Sequence, residues 1–343
     1  MFSGTDLVIL TLSFAVPLLF ILLGMPPYLR FLARNGRVVD DVHKQPRTKV
    51  PSPVGPVIFV AAAAGEVVAY LTFGTLVPIA ILGTAIVAFA VGLYDDILIL
   101  GARTKPLLLI LASSPLLISV IYQPNLYEPR LFFPILGATG EHFSIYTLLV
   151  VAAFPVVANA FNMMDSFNGE ISSFAFLASL ALTVGVLLHA YATPGFSLAR
   201  AAAALPLLAV AAGFHVFNRH PSRAFDGNSG SLVFGSLFAA NAITGGVEVA
   251  AIIAILPSIL NSFYILSSLR GFVERRKMGA RPTYMTGDGL LHASEEPSAP
   301  STLVRLILLS GPLSEKELVK NIIQLTAVAC LLSILTSVLT WVH

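Results

Sequence analysis

The chain has 343 residues, 56% of them apolar and 11% charged, with a formal net charge of +2. A soluble domain carries about a quarter charged residues, so a soluble enzyme is excluded, and nothing in the charge balance calls for a nucleic-acid partner. The single cysteine, Cys330, lies in the last apolar run and rules out a disulfide framework. What remains is an all-α polytopic membrane protein, read as one domain over residues 1–343.

A membrane-spanning helix needs roughly 18 or more apolar residues. In chain order the apolar runs fall at about 6–28, 56–73, 76–94, 107–122, 145–161, 172–191, 198–217, 230–244, 249–269 and 320–341, about ten transmembrane helices. The first lacks a basic leader and a small-residue cleavage site, so it reads as a retained span rather than a signal peptide. The runs at 56–73 and 230–244 are short for a full crossing, and Pro17 and Pro257 lie inside predicted spans. The connections after spans one, three, seven and nine hold 18 of the 20 Lys and Arg; Arg130 and Arg200 are the others. Positive connections stay cytoplasmic. Both termini are therefore expected outside, with cytoplasmic connections at about 29–55, 95–106, 162–171, 218–229 and 270–319.

The first cytoplasmic connection is basic. Its cations read either as membrane-side anchors or as contacts for an anionic head, with Lys44 and Lys49 best placed beside the Pro51–Gly55 turn. The second, GLYDDILILGARTKP, sets Asp95 and Asp96 at the end of span three and Lys105 ten residues on. Consecutive helical residues point about 100° apart, so the two carboxylates are expected to do different jobs. Mg²⁺ takes one or two carboxylates plus phosphates and water, and lysine is a point-charge donor to phosphate.

The third connection, NAFNMMDSFNGE, repeats Asn159, Asn162, Asp165 and Asn168 at every third position. The first three share a helix face, while Asn168 turns away at an Asn-Gly turn signal. The fourth, AFDGNSGS, places Asp226 and Asn228 at a helix start, where backbone amides favour anions. The fifth is long and polar and offers Arg281 and His292 as substrate contacts.

Taken together, the DD…R-x-K, NAxNxxDxxNG and FxGxxGS loops resemble those of the polyprenyl-phosphate N-acetylhexosamine-1-phosphate transferases. The tail STLVRLILLSGPLSEKELVKNIIQL is similar to that of the eukaryotic and archaeal UDP-N-acetylglucosamine–dolichyl-phosphate branch. A bacterial-type HHxxE motif is missing from the fifth connection, which argues against phospho-N-acetylmuramoyl-pentapeptide transferase. The resemblance implies transfer of N-acetylglucosamine-1-phosphate from UDP-N-acetylglucosamine to dolichyl or another polyprenyl phosphate, with release of UMP. This is the first step of lipid-linked glycan assembly for N-glycosylation. It implies Mg²⁺, with Mn²⁺ as an alternative. The setting would be the cell membrane, or the endoplasmic reticulum of a eukaryote, with membrane lipids around the chain and a homodimer as one option. Residue by residue, it implies catalytic Asp95, Asp96 and Lys105, and substrate contacts at Asn168, Phe225 and Arg281; Lys44 and Asn159 are further substrate candidates from their places in the first and third connections. Metal contacts are implied at Asn162 and at Asp226 or Asn228.

In one place the chain departs from the family: Asn228 stands where the family's G-D-[ST] has a metal-binding Asp, and Asp226 is the acid left to compensate. Two other readings stay open. One is the same chemistry with another UDP-HexNAc donor for cell-surface glycans. The other is an ion-coupled transporter, suggested by Glu66 in the middle of span two.

Overall fold

A computed structural model describes residues 4–42, 48–193, 196–271, 273 and 279–342. Helix α1 (Gly4–Arg34) leads into an antiparallel hairpin, β1 (Val38–Asp41) and β2 (Thr48–Pro51). Helix α2 (Gly55–Phe73) carries Pro56 in its first turn, where a missing N–H costs nothing, and closes on Gly74 in the left-handed region. Then come α3 (Leu76–Leu98) and the short helices α4 (Thr104–Leu109) and α5 (Ser114–Tyr122), joined through a 3₁₀ turn. A two-residue-strand hairpin, β3 (Phe132–Phe133) and β4 (Gly137–Ala138), precedes α6 (Phe143–Met163), α7 (Glu170–Ala192) and α8 (Leu198–Asn218). The chain continues through α9 (Gly227–Gly245), α10 (Glu248–Ala254) and α11 (Leu256–Ser268). It ends with the hairpin β5 (Thr283–Met285) and β6 (Leu291–Ala293), then α12 (Leu303–Leu308) and α13 (Glu315–Trp341).

Among the described residues, eight helical segments are long and apolar enough to cross a membrane, or nine if the bent pair α10–α11 is one span. The expectation of about ten spans is met in part, and two of the predicted runs take a particular form. The run at 249–269 is broken by a 67° bend at Ile255, which leaves helical geometry two residues before Pro257, whose missing N–H cannot continue the ladder of the preceding helix. The run at 230–244 is the helix α9, which is not among the membrane-capable segments. The reason is its composition, since Gly, Ser and Asn recur among its apolar residues. Every residue from Ser229 to Gly245 is buried, so neighbouring helices rather than lipid surround it.

Two glycines let those neighbours approach. A Cβ on Gly92 of α3 would lie 2.6 Å from the Asn228 carbonyl oxygen, and one on Gly235 would lie 2.6 Å from the Ala158 Cα of α6. Helices α2, α7 and α8 complete the packing around α9, while α1 covers α2 and α8 and α13 covers α7 and α10.

At one end of this bundle the expected odd-numbered connections meet. The Phe225 N–H donates to the Pro51 carbonyl (3.1 Å), and the Val54 and Gly55 amides donate back to the carbonyls of Phe225 and Asp226 (3.0 Å each). The first hairpin is thereby stitched to the loop that starts α9.

Candidate active site

Asp95 closes the C-terminus of α3. Its Oδ1 accepts from the Leu100 N–H (2.6 Å), which turns the chain back so that Lys105 returns to the Asp95 Oδ2 at 2.7 Å. The Asp95 carboxylate is buried. The Lys105 ammonium also donates to Asn228 Oδ1 (2.9 Å) and, more weakly, to Asn162 Oδ1 (3.4 Å). Its three protons thus face one carboxylate and two carboxamides drawn from three connections.

Asp96 points elsewhere, as a 100° step demands. Its Oδ1 accepts from the Asn228 backbone N–H (2.7 Å) and Nδ2 (3.1 Å), and its Oδ2 from the Ser229 N–H (2.9 Å) and Oγ (2.6 Å). Asp96 therefore caps α9 from another helix. The anion place that the sequence suggested at this helix start is filled by the chain's own carboxylate.

This arrangement gives Asn228 a physical reason. Its Nδ2 donates to Asp96, and its Oδ1 accepts from Lys105 and from Asn162 Nδ2 (2.8 Å). An aspartate here would offer no donor to Asp96 and would face it with a like charge. The two lone pairs of the Asn228 carbonyl oxygen are both in use, as are both protons of Asn162, which also donates to Ser231 Oγ (2.8 Å).

Asp226, two residues earlier, is fully buried, and neither carboxylate oxygen has a hydrogen-bond partner. Burial, the neighbouring Asp165 and then Asp96 hold its pKa well above the usual carboxylate range. An orphaned buried carboxylate beside a second one is what a divalent cation would relieve, so these residues fit the implied metal. Among the described residues no group of three His, Cys, Asp or Glu side chains forms a metal cluster. Further ligands would be amides, substrate phosphate or water. Asp165 carried less weight in the sequence than Asn162 and Asn228; its signal was its place in the every-third-residue series.

The other expected contacts are more dispersed. Asn159 donates its amide to the Pro155 carbonyl of its own helix (2.7 Å). Phe225 stands at the hairpin junction, half-buried. Asn168 is buried and bonded to Asp41, Glu315 and Ser222. Arg281 is exposed just before β5. Lys44 lies outside the described residues. Lys49 and Arg223 line a shallow cleft of about 410 Å³ between β2 and the 221–223 loop.

The helical bundle and the acid–amide–lysine cluster at its end define an integral membrane protein with a polar site built from its interhelical connections. The profile of the glycosyl transferase family 4 matches residues 78–246 of the chain. It is 26% identical over 293 residues, 83% of each chain, to a Sulfolobus acidocaldarius protein provisionally named UDP-N-acetylglucosamine–dolichyl-phosphate N-acetylglucosaminephosphotransferase. A Dictyostelium discoideum protein carrying that name without the qualifier is 26% identical over 256 residues, 66% of this chain and 60% of that one. A phospho-N-acetylmuramoyl-pentapeptide-transferase of Sulfurimonas denitrificans is 24% identical over 285 residues, 75% of this chain and 77% of that one.

Proposed function

We propose that the protein transfers N-acetylhexosamine-1-phosphate from a UDP-sugar to a polyprenyl phosphate, with N-acetylglucosamine and a dolichyl-type lipid as the substrates. The observation that carries this reading is the convergence of Asp95, Asn162 and Asn228 on the Lys105 ammonium. The relatives' names support the substrate class. The excess of Lys and Arg in these connections supports a cytoplasmic setting for this end of the bundle, where nucleotide sugars are found.

In the reaction, an oxygen of the lipid phosphate attacks the β-phosphorus of the UDP-sugar. A new P–O bond forms, the bond from that phosphorus to the bridging oxygen breaks, and UMP leaves with the electron pair. Phosphoryl transfer asks the protein for position and charge neutralisation rather than covalent chemistry. Lys105 supplies the cation. Without substrate its weakest partner is Asn162 at 3.4 Å, so that contact is the one a phosphate oxygen replaces. Asp95 fixes the ammonium's direction, and Asp96 fixes the helix start that carries Asn228. Asp165 and Asp226 are the side chains that would hold a divalent cation; when bound, Mg²⁺ would neutralise diphosphate charge.

Glu66 favours the transporter reading, since it is fully buried and neither oxygen has a hydrogen-bond partner. A lone carboxyl makes no cage for a transported ion, and the transferase reading accounts for far more of the polar residues. The deciding experiment incubates purified protein with a polyprenyl phosphate, Mg²⁺ and either UDP-N-acetylglucosamine or UDP-N-acetylgalactosamine. Release of UMP with formation of the lipid-diphosphate sugar is expected; no release with any UDP-HexNAc would reject the reading.

A further inference from the structure

We propose that Glu315, at the start of the C-terminal helix, is a positioning residue for the transfer site and acts through Asn168; this rests on the transferase reading above. The segment LSEKELV belongs to the distinctive tail, and the reaction as described leaves it without a task. A capping box fixes the start of α13. The Glu317 N–H donates to Ser314 Oγ (3.3 Å), and the Ser314 N–H donates to Glu317 Oε2 (3.0 Å). Glu315, in the first helical position, is thereby held facing inward, 6% exposed. An acid placed there only to complement the helix dipole would sit in water.

The partner of Glu315 is Asn168. Glu315 Oε1 accepts from the Asn168 backbone N–H (2.9 Å) and from its Nδ2 (2.6 Å). The second amide proton goes to Asp41 Oδ2 (3.1 Å), and Asn168 Oδ1 accepts from the Ser222 N–H (2.9 Å). His220 Nδ1 lies 3.5 Å from Glu315 Oε2. One carboxamide thus ties together the first hairpin, the α6–α7 turn, the α8–α9 loop and α13.

Two of these segments lead directly to site residues. Asn168 lies three residues after Asp165, and Ser222 lies four residues before Asp226. The hairpin bearing Asp41 receives the Phe225 amide at Pro51. Glu315 itself has no described hydrogen bond or ion pair to Lys105 or Asp96, so its effect runs through the turns it holds. Misplacement by about 1 Å can cost a hundredfold in rate. With both amide protons of Asn168 engaged, its side chain has only an acceptor lone pair left to offer a nucleotide.

The test is a double-mutant cycle on the full-length protein. UMP release is measured for wild type, Glu315→Ala, Asn168→Ala, the double variant and Glu315→Gln, with thermal unfolding of each. Each alanine variant is expected to lose about tenfold in kcat while KM for the UDP-sugar moves less than about twofold. The double variant should be no worse than either single one. Glu315→Gln keeps the acceptor oxygen and should recover most of the rate. Additive losses would overturn the proposal. So would a raised KM for the UDP-sugar in Asn168→Ala with Glu315→Ala silent, which would make Asn168 a direct nucleotide contact. Normal kcat per folded molecule in Glu315→Ala would reduce Glu315 to a stabilising residue. A wild-type protein that releases no UMP from any donor overturns the transferase reading, and this inference with it; additivity in an active enzyme overturns this inference alone.

Discussion

The Asp96 carboxylate accepts both the backbone and the side-chain N–H of Asn228, 132 positions along the chain, at 2.7 and 3.1 Å. With the two bonds from Ser229 it closes the N-terminus of α9. Replacing Asp96 by Ala should cost about 1–2 kcal/mol, the worth of a strong helix cap, and should also remove activity by letting Asn228 turn. Denaturant or thermal unfolding in detergent checks the first part, and UMP release the second. Asp96→Asn should keep part of the cap and lose most of the rate.

Lys105 is the only ammonium among the described contacts of this cluster. Lys105→Ala is expected to lower kcat by about 10²–10³, the usual effect of removing one preorganised charge from a transfer site. Lys105→Arg should rescue little, because a planar fork cannot present three protons to Asp95, Asn162 and Asn228 as an ammonium does. Rescue to wild-type rate by Arg would contradict this geometry.

Gly92 is a point of close approach between α3 and α9. A methyl group there meets backbone atoms, the Asn228 oxygen and the Ser229 Cα, both at 2.6 Å. Backbone cannot step aside as a side chain can, so Gly92→Ala should destabilise by about 1–3 kcal/mol. It should also pull Asp96 away from its four donors. The expected observation is a lowered Tm together with a rate loss close to that of Asp96→Ala.

With no cation bound, burial and the neighbouring carboxylates hold Asp226 protonated, which costs folding free energy at pH values above the ordinary carboxyl range. Asp226→Asn should therefore raise Tm in metal-free buffer and abolish any stabilisation by added Mg²⁺ or Mn²⁺. Asn228→Asp should not substitute for it, since the new carboxylate would face Asp96. A variant Asp226→Asn that keeps the full metal-dependent shift in Tm would place the cation elsewhere.

The positions of the site connections were legible because charge is conspicuous in so apolar a chain. Asp95 and Lys105 stood out for that reason and Asn162 through its polar every-third-residue series, and the structure brings them together. The divergent directions of Asp95 and Asp96 followed from helix geometry alone. Other features were hidden by distance. Asp96 finds its donors, and Asn168 finds Glu315, more than a hundred residues away, and no local pattern encodes such a pairing. Hydropathy placed a run at 249–269 but could not show its break, since Pro257 inside a span is compatible with either a kink or a straight helix whose neighbours satisfy the freed carbonyl.

The burial of α9 also bears on how the protein is made. A helix rich in Gly, Ser, Ala and Asn, hidden along its whole length from Ser229 to Gly245, gains little from contact with acyl chains. Such a segment enters the bilayer in company, held by close packing against partners already there. Helices α3 and α6 precede it in the chain and form the walls it needs. Biogenesis then has an order: the helices bearing Asp95, Asp96 and Asn162 are laid down first, and Asn228 arrives last, closing the polar cluster only once the bundle has formed around it.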